Sequence, residues 1–102
     1  MKEAPMPLHK FRGGSFTSEL WIDGKRLFSR PTQLNVEFST GGTFAWLIAD
    51  ATGLIVKAVP AKAGGWTSLD LPSLGLHKDY SVGFRNTSVG TAKILHGDVA
   101  YG

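Results

Sequence analysis

Apolar residues recur every second position along most of this chain, and the runs are cut by glycine, proline and Asp-Gly signals every 8–12 residues. A period of two puts alternate side chains on opposite faces of an extended strand, and no window of ten residues carries the 3.6-residue stripe of a helix. In Thr32 to Ser39, Leu34, Val36 and Phe38 alternate with Gln33, Asn35, Glu37 and Ser39. In Thr43 to Asp50 both faces are apolar, with Phe44, Trp46 and Ile48 against Ala45, Leu47 and Ala49. That run predicts a central strand covered on both sides.

The same pattern extends in both directions. Phe16, Ser18, Leu20 and Ile22 share one face of a strand beginning at Ser15, with Thr17, Glu19 and Trp21 on the other. Asp23-Gly24 suits a tight primed turn into a short partner strand, Lys25 to Ser29. Asp50-Ala51-Thr52-Gly53 predicts a hairpin loop into Leu54 to Val59, which Pro60 stops. Trp66 to Leu71 follows Gly64-Gly65, and Pro72 to Asp79 reads as a loop with one helical turn near Ser73-Leu74. Tyr80, Val82 and Phe84 mark the next strand, and Thr91 to Tyr101 the last, with a bulge expected at Gly97-Asp98. About eight strands in some 88 residues predict a single all-β antiparallel sandwich over 15–102, with jelly-roll or Greek-key winding. Its expected centre is Phe16, Leu34, Val36, Phe38, Phe44, Trp46, Val82 and Phe84. Residues 1–14 carry Pro5, Pro7 and Gly13-Gly14 and show neither period. They read as an N-terminal arm able to pack through Met6, Leu8 and Phe11.

Composition narrows the chemistry. The 102 residues suffice for one domain with its own core. Without cysteine there is no disulfide frame, thiolate metal site, iron–sulfur centre or cysteine nucleophile. The net charge of +3 is unevenly spread. Residues 1–30 hold six basic and three acidic side chains, and residues 31–102 hold five of each. The basic residues form pairs rather than the stripe a nucleic-acid-binding domain presents, so no nucleic-acid partner is expected. No run approaches the 18 apolar residues of a membrane span, and no apolar leader core follows Met1.

Signals for catalysis are thin. His9, His77 and His96 lie far apart, and no HExxH, GxSxG or phosphate-cradling loop occurs. No loop offers calcium more than one carboxylate. No catalytic residue, metal site or cofactor is expected. The aromatic residues are the better lead. Trp21 stands between Glu19 and Asp23 on the polar side of its strand, Trp66 opens a strand behind two glycines, and Tyr101 lies near the end of the chain. A tryptophan on a polar strand face offers a flat apolar surface to a sugar ring or partner. With Glu19, Asp70 and Arg85 as orienting polar groups, these three aromatics form the expected ligand-binding set. Asn86-Thr87-Ser88 matches a glycosylation sequon but is equally the composition of a turn.

Two stretches carry a family resemblance. Thr43-Phe44-Ala45-Trp46-Leu47-Ile48-Ala49-Asp50 with Ala51-Thr52-Gly53 and Leu54-Ile55-Val56, and Gly75 through Tyr80-Ser81-Val82-Gly83-Phe84 with Asn86 and Gly90, are the quoted runs. They resemble the small secreted bacterial β-sandwich domains of jelly-roll and pre-peptidase C-terminal type. Leu76-His77-Lys78-Asp79 departs from that pattern, and the acidic calcium loops of many such domains are missing. The resemblance implies an extracellular binding or accessory role without a named ligand; the aromatic set on polar strand faces makes polysaccharide or a cell-surface polymer the expected partner of a non-catalytic module. A self-assembling phage or capsid-type jelly roll is the alternative, its basic arm joining subunits of a homo-oligomer where the first reading has a monomer. A secreted antibacterial or toxin-like protein acting at anionic envelopes is the third.

Overall fold

A computed structural model describes residues 7–102. Residues 1–6, Met6 among them, lie outside the described part. Eight strands form two four-stranded antiparallel sheets: β1 (Leu8–Phe16), β2 (Glu19–Trp21), β3 (Gln33–Phe38), β4 (Thr43–Ala49), β5 (Ile55–Lys62), β6 (Gly65–Asp70), β7 (Ser81–Asn86) and β8 (Ala92–Ala100). One sheet, called here the front sheet, runs β1-β8-β3-β6; the back sheet runs β2-β7-β4-β5. Only β4 and β5 are consecutive strands in one sheet. Every other connection crosses the sandwich, which is jelly-roll winding.

The core lies where the two sheets meet. Leu34, Val36 and Phe38 from β3, Ile94 and Val99 from β8, Phe44, Trp46 and Ile48 from β4, and Val82 and Phe84 from β7 are all 0–2% exposed. The aromatic members interlock, with Phe38 and Phe44 ring centroids 4.5 Å apart and Trp46 and Phe84 5.0 Å apart. All eight residues expected at the centre are buried. Fully burying one such side chain is worth roughly 1.5–3 kcal/mol, so this core, aromatic and aliphatic together, is a major favourable term of the fold.

The sequence reading needs correction at five places. First, the arm boundary at residue 14 does not hold: Leu8 to Gly14 belong to β1, in register with β8 from Leu8 opposite Ala100 to Phe16 opposite Ala92. Second, the single strand expected from Ser15 to Ile22 is two pieces. The chain leaves the front sheet after Phe16 and enters the back sheet at Glu19, so the apolar alternation continues across a change of sheet. Third, Lys25 to Ser29 is not a strand. Asp23, Gly24 and Lys25 all take positive φ (49°, 62° and 68°), which turns the chain through a 3-10 turn instead of a primed hairpin. Phe28 alone then pairs, with Tyr80. Fourth, the β8 bulge falls at Leu95-His96, not at Gly97-Asp98. Glu37 faces His96, Phe38 faces Ile94, and Leu95 is the extra residue. Fifth, β5 continues through Pro60 to Lys62. As β5 is an edge strand, a proline is tolerated there when its missing N–H faces the open side.

The bulge explains Gly13. A Cβ at that position would run into the carbonyl groups of Ile94 and Leu95. Only glycine lets β1 stay in register while the bulged backbone of β8 presses against it. Gly13, the first of the pair that looked like the end of an arm, is what allows the edge strand to join the sheet.

Candidate functional site

The outer face of the front sheet gathers side chains from all four of its strands. The register sets them in rows. Trp66 of β6 stands opposite Glu37 of β3, which stands opposite His96 of β8, which stands opposite Arg12 of β1. The next row is Ser68, Asn35, Asp98 and Lys10, and the third is Asp70, Gln33, Ala100 and Leu8. Three inter-strand spacings of ~4.8 Å make each row roughly 14 Å long. Inward neighbours on the same strands are the buried Leu34, Val36, Phe38 and Val99, so alternation against the core forces these polar residues outward.

The face is organised by its own hydrogen bonds. The His96 Nε2 and Glu37 Oε1 atoms lie 2.7 Å apart. Asn35 Nδ2 donates to Asp98 Oδ1 at 2.7 Å, and Ser68 Oγ donates to Asn35 Oδ1 at 2.6 Å. These bonds fix rotamers before any ligand arrives, which lowers the ordering cost of binding. Glu37 and Asp98 each use one carboxylate oxygen in these bonds, leaving the other as an acceptor. Trp66 is 56% exposed, and its ring centroid lies 5.0 Å from that of His96, tilted by 40°. A shallow depression of ≈ 470 Å³ opens beside it, bordered by Lys10, Arg12, Trp66, Leu95, His96 and Asp98.

Of the six residues expected to bind ligand, Trp66 and Asp70 lie on this face. The other four do not join them. Glu19, Trp21 and Arg85 lie on the outer face of the back sheet. There Arg85 Nε and Nη2 both donate to Glu19 Oε2 at 3.1 Å, so the pair is mutually engaged. Trp21 lies over Gly83: a Cβ on Gly83 would be 2.7 Å from Trp21 ring carbons. The Lys25 ammonium sits 4.5 Å from the Trp21 ring centroid and donates to the Gly53 carbonyl at 3.2 Å, strapping the turn to the β4–β5 hairpin. Beyond Gly83 in the same row comes Leu47, fully buried although it points away from the sandwich interior. Ala45, Leu47 and Ala49 on this outer side of β4 are all buried, so both faces of the strand are covered. Tyr101 packs 5.5 Å from Phe28 with the Arg26 guanidinium 5.7 Å from its ring, at one end of the sandwich.

His96, Glu37, Asn35, Asp98, Ser68, Lys10 and Arg12 were missed from sequence. Asn35, Glu37 and Ser68 stood on polar strand sides, while Lys10 and Arg12 fell in the expected arm and Asp98 at the expected bulge; their meeting depends on the strand order β1-β8-β3-β6, which no spacing encodes. The sequon asparagine is held in its turn, with Nδ2 donating to the Gly90 carbonyl at 2.7 Å and Oδ1 accepting from the Ser88 N–H at 2.9 Å. Among the described residues no cluster of three or more metal-ligating side chains occurs, and no helix is long and apolar enough to cross a membrane. No family model matches this chain, and no curated protein or solved structure matches it either.

Proposed function

We propose that the protein is a non-catalytic carbohydrate-binding module that uses the outer face of the front sheet. The observation behind this is Trp66: a large, half-exposed aromatic ring held beside His96, with a fixed lattice of amide, carboxylate and hydroxyl groups within two rows of it. A pyranose ring has an apolar face of axial C–H groups and a rim of hydroxyls. Trp66 meets the first, and Glu37, Asn35, Asp98 and Ser68 meet the second. A flat open face suits a polymer that lies across the strands better than a small molecule needing enclosure. The resemblance to secreted bacterial sandwich domains favours an extracellular role, and the exposed ring of Trp66 favours a polysaccharide or cell-surface polymer as the partner.

Affinity electrophoresis and calorimetry against a polysaccharide panel test this. At least one polymer is expected to bind, with Trp66→Ala weakening it tenfold or more and Trp21→Ala changing affinity less than twofold. No binding across the panel, or binding indifferent to Trp66→Ala, overturns the proposal.

A further inference from the structure

The charges on the front face are unevenly matched. Its central carboxylates are each hydrogen-bonded through one oxygen to a neighbour on the face: Glu37 to His96 and Asp98 to Asn35. The cations along its β1 side are not. Lys10 and Arg12 are exposed, border the depression, and have no acidic partner within ion-pair distance among the described residues. Lys93 lies on the same side, since alternation with the buried Ala92 and Ile94 turns it outward. Asp70 is in the opposite corner, on β6 and two rows away from Arg12. A polymer lying along the first row would place one ring on Trp66 and His96 and carry its next substituents toward Arg12 and Lys10. Arginine's planar fork matches a carboxylate or sulfate through paired N–H donors, and lysine adds a second point charge.

From this we infer that the ligand is an acidic polysaccharide, one bearing carboxylate or sulfate groups, read by Trp66 for its sugar face and by Lys10 and Arg12 for its charge. This rests on the carbohydrate-binding proposal and adds the class of glycan. It also gives a use to part of the positive charge concentrated in the first 30 residues.

The test uses polymers that share a backbone and differ in charge: polygalacturonate against its fully methyl-esterified form, and dextran sulfate against dextran. Calorimetry is run at low and at 0.3 M salt on the native chain, on Trp66→Ala, and on the double variant Lys10→Gln, Arg12→Gln. Both substitutions are on exposed edge-strand positions, and circular dichroism verifies folding. In one pair or the other, the charged member is expected to bind at least tenfold more tightly than its neutral partner. The pair that shows this tells carboxylate from sulfate recognition. The double variant should bring that ratio to within threefold of one, and Trp66→Ala should weaken both members. Equal or tighter binding of the neutral members overturns the acidic class while leaving carbohydrate binding intact. No binding of any of the four, with none across the wider panel, removes both. Binding of the charged members that ignores Trp66→Ala, or that double-stranded DNA of equal charge displaces equally well, shows bare charge attraction and also overturns the inference.

Discussion

Trp21 and Trp66 both stand on outward faces of the sandwich, each in a row with a neighbour on the next strand, yet they do opposite things. Trp21 faces Gly83 and lies down on it, with Lys25 across its ring, and the row beneath continues into the buried Leu47. Trp66 faces Glu37, whose side chain occupies the space a glycine would have left, and it remains 56% exposed. The residue across the strand pair decides whether an outward tryptophan lies down on the sheet or stays open to solvent. On the back sheet the small residues Gly83, Ala45 and Ala49 supply room for closure. On the front sheet Glu37, Asn35, His96 and Asp98 hold a polar lattice open.

Filling the space under Trp21 should have the largest effect. A Cβ on Gly83 meets the Trp21 ring at 2.7 Å and the Leu20 carbonyl oxygen at 2.9 Å, and the latter is backbone that cannot swing away. Gly83→Val is expected to cost about 3 kcal/mol in urea unfolding, the upper part of the usual overpacking range. Trp21→Ala should cost about 2 kcal/mol, short of the ~3–5 of a fully buried tryptophan because the ring is partly exposed. Loss of the strap in Lys25→Met removes a cation–π contact and one hydrogen bond and should cost about 1 kcal/mol. Trp66→Ala should change stability by less than about 0.5 kcal/mol, as substitutions at open surface positions do. A Trp66→Ala cost equal to that of Trp21→Ala would erase the contrast between the faces.

The smallest effect concerns the loop that presents Gly53 to Lys25. Asp50 accepts hydrogen bonds from the Thr52 hydroxyl, the Thr52 N–H at 2.9 Å and the Leu54 N–H at 3.1 Å. The Thr52 hydroxyl first, and these backbone donors with it, hold the Asp50 carboxyl below its ordinary value of 3.8. Because folding lowers this pKa, the carboxylate's contribution is complete above the unfolded value and is lost as pH falls through the folded one. The stability advantage of the native chain over Asp50→Ala should therefore hold at neutral pH and shrink below about pH 4 in acid titrations followed by circular dichroism.

Much of the sandwich was legible because burial and period act on the same residues. Leu34, Val36 and Phe38, or Phe44, Trp46 and Ile48, announce an inward face without reference to any partner. The first strand was hidden because its pattern is interrupted where β8 bulges: Gly13 is required by a carbonyl some eighty positions away, and in sequence it reads as a break. The switch of sheets after Phe16 was hidden for the opposite reason, since alternation survives the crossing. Of the site, Trp66 and Asp70 were legible as residues on polar strand sides. Their companions were not, since Arg12, His96, Glu37 and Trp66 become neighbours only through strand order. The likeness between Trp21 and Trp66 in sequence was misleading because Gly83 and Glu37, which separate their fates, lie 62 and 29 positions away.

The most direct measurement follows the three tryptophan indole N–H signals by ¹⁵N NMR during titration with the tightest-binding polysaccharide of the panel. The account predicts that the Trp66 indole and the backbone amides of Glu37, His96 and Asp98 shift or broaden in step, while the Trp46 and Trp21 indoles stay in place. Movement of the Trp21 indole with Trp66 unmoved, or no movement of Trp66 with any polymer, would contradict it.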